Sequence, residues 1–579
     1  MVKWIKRAVW LLFIVTIGYL LTASIFSTCY LGEYQYMTAS GAAETNVEHT
    51  FYIRDAYLQH IVLFLAFSGL LLFFRWKGWQ RIFEKKYFGF VICIAVGVLS
   101  VLIVAAGQYY PKFDQKHVIE AAAALNEHDH SDFAVGNYLF VFPFQMGVIL
   151  YYQLLSLLFG NLNYVAFEIV NAVWIVLTVW LFMKIAGLLW EKEKGYETGT
   201  AVLCLLFLPY LLYVTFLYGT VVGMAFALLS FYTMLLYERQ RKLLWLLISG
   251  LSMGIATVVK SNYMIFMIAE IIYLLLGCIS DKITNLKKNM PRLLLVAVLL
   301  FCFLAGRCGV NAYITRLNDG NEVKGIPMLA WVAMGLQDGK GAPGWYNGYN
   351  NGVYIENDYD YDKTQAAVKE EIKRIVTKYP QDITTTISFF VKKVSSQWNN
   401  PTFQSLWILE KREGANGLDW LLQGNGRYLY ILFVNLLHTW ILAGTFMYAL
   451  FRYKTSSLEE IILPITFIGG FVFHIFWEAE GLYAILYFPL LLPLSICGYG
   501  EWKKWLCDSK REIMENGWET EAGKCLKRKL AVGFIITVLV CVGSYTEPFA
   551  KMIARNENTG AFDTYTQETV NEEDALPEQ

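Results

Sequence analysis

Apolar runs of seventeen residues or more recur along most of this 579-residue chain, from VWLLFIVTIGYLLTASIF near the start to LAVGFIITVLVCVGSYT near the end. At 1.5 Å of rise per residue, a helix of that length crosses a hydrocarbon core of roughly 30 Å. Composition agrees: 56% of residues are hydrophobic and 17% charged, with mean hydropathy +0.41, whereas a soluble domain is nearer a quarter charged. The expectation is an all-α polytopic membrane protein. Spans are drawn at roughly 8–27, 59–75, 88–106, 164–190, 197–215, 219–237, 242–258, 262–280, 293–311, 427–452, 459–477, 481–499 and 528–545, about thirteen in all. The first run follows Lys3, Lys6 and Arg7 and imitates a signal peptide, but so many later spans favour an uncleaved anchor. Most of the ten cysteines lie in apolar runs without CxxC spacing, as small buried residues do.

Orientation follows from the placement of Lys and Arg, since basic loops stay cytoplasmic. With the N-terminus inside, the cytoplasmic loops are RWKGWQRIFEKK, WEKEKG, ERQRK, DKITNLKKNMPR, FRYK and the linker 501–529, all but WEKEKG with a basic excess. The C-terminus and the region 312–426 fall outside. This agreement requires that YLFVFPFQMGVILYYQLLSLLFG (138–160) not cross. Pro143, Gln145, Gln153 and many aromatics suit it to a juxtamembrane helix on the outer face. The chain then divides into N-terminal spans (1–106, with an outer loop 28–58), a first outer loop with its juxtamembrane helix (107–163) and a central bundle (164–311). A mixed extracytoplasmic module (312–426), C-terminal spans (427–545) and an acidic outer tail (546–579) follow. Within the module, TQAAVKEEIKRIVTKY (364–379) pairs opposite charges at helical spacing.

Polar groups gather at the predicted outer face. The first loop, YYPKFDQKHVIEAAAALNEHDHSDF, holds Asp114 and Glu120. A carboxylate shielded by an interfacial helix can act as a general base. Six residues apart, the two lie on different helical faces and do not make a paired-acid site; taken alone they read as solvated loop residues. Glu127, His128, Asp129, His130 and Asp132 lack the helical HxxxH spacing of a metal pair and read as a hydrated loop. Lys260 and Asn262 interrupt two apolar runs at an outer hairpin, where a lysine can neutralise a phosphate or merely snorkel. His474 and Glu478 share a helix face where a span emerges. The loop GLQDGKGAPGWYNGYNNGVY offers Trp345 and Tyr346 as rings for stacking on sugars, though any flexible loop could have this composition. NDYDYD is too incomplete for a calcium loop. There is no P-loop, dinucleotide fingerprint or nucleophile elbow, and nothing points to nucleic acid.

The order of PKFDQKHVIEAAAAL, FPFQMGVILYYQLLSLLFG, LYGTVVGMAFALLSFYTMLLYERQRK, LSMGIATVVKSNYMIFMIAE and WEAEGLYAILYFPLLLPLSICG resembles the GT-C membrane glycosyltransferases of family 39. These include protein O-mannosyltransferases and the lipid A aminoarabinose transferase. The resemblance covers most of the chain. It implies a GT-C-like fold and transfer of a hexosyl or pentosyl group from a polyprenyl-phosphate donor to an extracytoplasmic glycan, lipid or protein acceptor in the cell envelope. Asp114 corresponds to the general base of such enzymes, with Glu120, Lys260, Asn262, His474 and Glu478 as supporting acceptor- or phosphate-binding candidates. Polyprenyl phosphate is a good leaving group, so one carboxylate plus cations suffices for an inverting displacement. Two departures stand out. Thr220 occupies a position where relatives often carry an acid, which weakens the case for a second carboxylate and for any metal it helps hold. Leu482 precedes Tyr483 where relatives tend to have arginine, which leaves phosphate neutralisation to Lys260, Arg307 or a lysine of 312–426. A divalent cation is left open as cofactor. The competing classes are a polyprenyl-linked glycan transporter, which would show broken, charged spans and internal repeats, and a non-catalytic membrane scaffold.

Overall fold

The computed structural model describes residues 2–516, apart from 38–42, 55–56, 77–80, 82–84, 192, 194, 282–284, 340, 410–416 and 423, together with residue 524. The expected span 528–545 and the tail 546–579 lie outside the described residues. Helices stand where the other twelve spans were drawn. Among the described residues nine are long and apolar enough to cross a membrane: Val2–Phe26, Tyr87–Gly107, Tyr164–Leu189, Gly219–Gln240, Ser261–Ser280, Lys287–Leu317, Gly424–Arg452, Glu459–Phe476 and Gly481–Ser509. A tenth candidate is broken: Tyr196–Leu206 and Leu208–Thr215 meet at 63°. Pro209, just inside the second piece, lacks the N–H that would continue the ladder across the break. Leu243–Val259 is a shorter apolar helix.

Lipid offers little hydrophobic drive between helices, so close packing depends on small residues. A Cβ at Gly498 would lie 1.8 Å from the carbonyl oxygen of Gly444, and the helices bearing these glycines press together there. Around this contact runs one large core in which Trp10, Phe182, Tyr213, Phe231, Trp398 and Tyr448 are buried.

The sheet lies elsewhere than expected. Ser27–Met37 and Ala43–Arg54 form an antiparallel hairpin in the loop drawn at 28–58, with Ser27 opposite Arg54 and Leu31 opposite Thr50. It is anchored by Asn399, whose side chain donates to the Ser27 carbonyl at 2.7 Å, and by Asn435, which donates to Thr28 at 2.7 Å. The region 312–426, expected to be mixed, consists among its described residues of the helices Leu329–Gly335, Tyr349–Glu356, Tyr361–Lys378, Ile383–Trp398 and Asp419–Leu422, with one isolated bridge between Asp338 and Pro343. In NDYDYD, the Asp360 side chain caps helix Tyr361–Lys378 by accepting from the backbone N–H groups of Asp362 and Lys363, both at 2.9 Å.

The segment 138–160 bends at Pro143 and continues as the helix Met146–Phe159. Both of its ends are tied to the short helix Asp114–Asn126. His117 stacks on Tyr138 with ring centres 5.1 Å apart, while Asn161 accepts from Asn126 at 3.0 Å and donates to Glu127 at 3.1 Å. The segment therefore runs alongside the helix Asp114–Asn126 from end to end.

Ion pairs mark the other end. Arg239 meets Glu191 and Glu459, Arg292 joins Glu238 to Asp281, Arg452 meets Glu460, and Lys504 meets Glu193. The N-terminal helix starts here too, since Lys6 donates to the Ser456 carbonyl and the Trp10 indole donates to the Ser456 hydroxyl at 2.8 Å.

Candidate functional site

The helix Asp114–Asn126 presents Val118, Ile119, Ala122 and Leu125 to Met146, Ile149, Tyr152 and Leu155 of the neighbouring helix, an apolar stripe at helical spacing. Gln115, buried beside it, accepts from the backbone N–H of Leu217 at 2.8 Å and so ties the start of this helix to the segment that opens Gly219–Gln240. The preceding residue, Phe113, has φ +49°, a strained backbone for a residue with a side chain. Its ring stacks on Trp407 at 5.5 Å and an interplanar angle of 1°, with the Lys112 ammonium 4.7 Å from the Trp407 ring centre.

Asp114 is thereby set at the first turn of its helix, where the helix dipole favours a carboxylate. Its side chain reaches solvent, yet protein surrounds it, as for a group facing an open recess. Burial raises its pKa above the ordinary carboxylate value, and the nearby charges of His117 and Lys260 oppose that rise.

Lys260 approaches from the hairpin between Leu243–Val259 and Ser261–Ser280. Two glycines allow the approach: a Cβ at Gly147 would lie 1.9 Å from the Val258 carbonyl oxygen, and one at Gly219 would lie 2.6 Å from that of Val259. The Lys260 ammonium rests 4.3 Å from the centre of the Tyr218 ring and 5.8 Å from that of Tyr483. Burial lowers its pKa to about 8, with Glu480 and Asp114 pulling the other way. Glu478 accepts from the Tyr483 hydroxyl at 2.8 Å, and the Gln145 side chain donates to the Tyr218 hydroxyl. Asp114 and Glu480 therefore stand near enough to Lys260 for their charges to act on it, and Glu478 joins the group through Tyr483, with Tyr218 on the other side of the ammonium.

Other candidates stand apart. Glu120 is exposed and faces Lys116 at 3.8 Å, six residues beyond Asp114 on the same helix. Asn262 meets Tyr487 through its backbone, the carbonyl accepting from the Tyr487 hydroxyl at 3.4 Å. His474 is buried beneath the recess with its ring 5.2 Å from that of Tyr483. Trp345 is 1% exposed and its indole donates to Ser396 at 2.8 Å, the surroundings of a core ring, whereas its neighbour Tyr346 is 43% exposed. Thr220 is fully buried. Among the described residues no three His, Cys, Asp or Glu side chains gather as a metal site.

Beside the hairpin lies a groove of about 400 Å³ lined by Ser261, Arg307, Asn311, Glu322, Lys324 and Tyr361, together with Pro143, Phe144 and Gly147. The Arg307 guanidinium has the Met264 sulfur at 3.8 Å and no carboxylate partner among the described residues. Lys324 lies 3.8 Å from Asp362. Two of the cations left for phosphate thus share a groove whose wall is the residue next to Lys260. Tyr218 and Gln145 came into the site without any sequence spacing to announce them; the one hint was an aromatic residue placed before the glycine that opens a span.

Residues 147–305 match the model of the dolichyl-phosphate-mannose-protein mannosyltransferase family, a stretch that contains Lys260 and both glycines beside it. The match sets the chain beside the GT-C membrane glycosyltransferases. Asp114 and Glu478 lie outside the matched stretch. No curated protein matches the sequence. A solved structure of the archaeal oligosaccharyltransferase AglB from Archaeoglobus fulgidus, in complex with an inhibitory peptide and a dolichol-phosphate, is similar over 81% of this chain, with 13% identity and a TM-score of 0.42. The similarity covers 56% of that protein, so this chain spans little more than half its length.

Proposed function

We propose that this protein is an inverting glycosyltransferase of the plasma membrane that passes a sugar from a polyprenyl-phosphate donor to an acceptor at the outer face. The observation that carries the reading is the nearness of Asp114 and Lys260, whose charges act on each other, with the Lys260 hairpin also lining the Arg307 groove. Asp114 takes the proton of the acceptor hydroxyl as its oxygen forms a bond to the anomeric carbon. The bond from that carbon to the phosphate oxygen breaks on the opposite side, and the phosphate leaves with the electron pair. No acid is needed to expel it. Lys260, Arg307 and Lys324 offset the growing phosphate charge, and the apolar flank of the groove suits the lipid chain.

The basic loops belong to the ion-paired end of the bundle. That end is taken as cytoplasmic, with the N-terminus inside and the C-terminus outside. The helical module 312–426 covers the recess and selects the acceptor, whether glycan, lipid or protein.

The test is incubation of the purified protein with a panel of labelled polyprenyl-phosphate hexoses and pentoses and cell-envelope acceptors. Transfer from at least one donor, with inverted anomeric configuration in the product, is expected. Retained configuration would reject the single-displacement scheme. Absence of transfer from every donor, together with movement of the lipid-linked sugar between leaflets, would favour a transporter.

A further inference from the structure

The helix Ile383–Trp398 carries two adjacent lysines that differ in surroundings. Lys393 is fully buried. Its ammonium donates to the carbonyl oxygen of Gly335 and, at 2.7 Å, to that of Trp477. Two glycines make the room. A Cβ at Gly335 would lie 2.5 Å from the Trp477 carbonyl carbon, and one at Gly344 would lie 2.7 Å from both Cδ and Cε of Lys393. Gly344 also has φ +76°, which a larger residue resists. The Gly344 carbonyl accepts from the backbone N–H of Ala479 at 2.8 Å. One turn on from Lys393, Gln397 donates to the His474 carbonyl at 3.3 Å. Lys393 thus clasps the end of the helix Leu329–Gly335, the Gly344 loop and the peptide that opens WEAEG.

The Trp477 carbonyl and the Glu478 nitrogen and Cα belong to one peptide plane, so fixing the carbonyl fixes where the Glu478 Cα sits. Glu478 in turn holds the Tyr483 hydroxyl, and the Tyr483 ring faces Lys260. We infer that Lys393 is a positioning residue, which holds the Trp477–Glu478 peptide and through it sets Glu478 and Tyr483 beside Lys260. Burial lowers the Lys393 pKa to about 7 against the pull of Glu478. A neutral amine still has two N–H groups for the two carbonyls, so the clasp survives loss of the charge.

The inference rests on the reading of the recess as a transferase site, and the experiment separates the two. Transfer by purified Lys393→Met, Glu478→Gln and the double variant is measured beside Asp114→Asn. Lys393→Met should lower kcat roughly 10- to 100-fold, as small displacements of catalytic groups do, with donor KM changed less than about twofold. The double variant should be no slower than the slower single variant, because both changes act on one unit. Losses that multiply in the double variant overturn the inference, as does wild-type kcat in either single variant. Should the two unmet carbonyls prevent Lys393→Met from folding, Lys393→Gln, whose amide offers two N–H donors on a stem one bond shorter, displaces the peptide with its carbonyls still met; it should lower kcat and add no further loss to Glu478→Gln. Undiminished transfer by Asp114→Asn would instead overturn the reading of the site itself.

Discussion

The helix Gly219–Gln240 joins two groups of charge that keep different company. Near its Gln240 end, Arg239 meets Glu459 at 2.9 Å, and Arg292 spans Glu238 at 2.7 Å and Asp281 at 2.6 Å. Close by, Arg452 and Tyr448 both donate to buried Glu460, at 2.6 Å each. Each of these charges is matched by a neighbour, so the cluster fastens helices and has nothing left for a third molecule. Near the Gly219 end, Asp114 and Lys260 make no salt bridge among the described residues. Their charges act on each other without contact, with the Tyr218 ring against the ammonium. Charges held apart around open space can work on a substrate; charges in contact serve stability.

Substitutions at the two ends should separate these roles. The largest effect is expected at the paired end. Glu460→Ala removes the acceptor of Arg452, Tyr448 and the Ser457 N–H, leaving a cation uncompensated. The cost should be roughly 3–5 kcal/mol, read as a lower thermal midpoint in detergent, while the folded fraction turns over normally. Lys260→Met should do the reverse, lowering kcat by roughly 100-fold with the midpoint unchanged.

The same lysine shapes the pH profile. Transfer needs Asp114 ionised and Lys260 charged. The rate therefore rises with pH through an Asp114 pKa above the ordinary carboxylate value, and falls again as pH passes about 8. Lys260→Arg keeps its charge and should extend the plateau to higher pH; an unmoved alkaline limb would assign that limb to another group. Arg307→Met should raise donor KM about 10-fold with little change in kcat, the signature of uniform binding lost. The smallest effect belongs to Glu120→Gln, where an exposed i,i+4 pair is lost and transfer should change less than about twofold.

The spans were legible because length and apolarity are written locally in the chain. The path of 138–160 was read less directly, through the charge of loops far from it, and the structure lays the segment alongside Asp114–Asn126. Tertiary choices were not. Lys392 and Lys393 are alike in sequence, and only packing against Gly335 and Gly344 turns the second inward. Trp345 and Tyr346 share a loop whose composition suggests sugar contact, yet the first ring fills the core beneath the hairpin and the second faces out. The hairpin itself escaped notice because its strands carry little alternation, and their anchors, Asn399 and Asn435, come from hundreds of residues away. Asp114 was visible as a loop carboxylate. Lys260 was visible as a polar break between two apolar runs, but its company with Asp114, Tyr218 and Glu480 became visible only when distant segments met.

The most direct test of the account is transfer and donor binding measured together for wild type and Asp114→Asn. The account predicts that Asp114→Asn binds the labelled polyprenyl-phosphate sugar as wild type does and transfers it at least roughly 100-fold more slowly, the contribution of a general base. Equal transfer by the two proteins would contradict it.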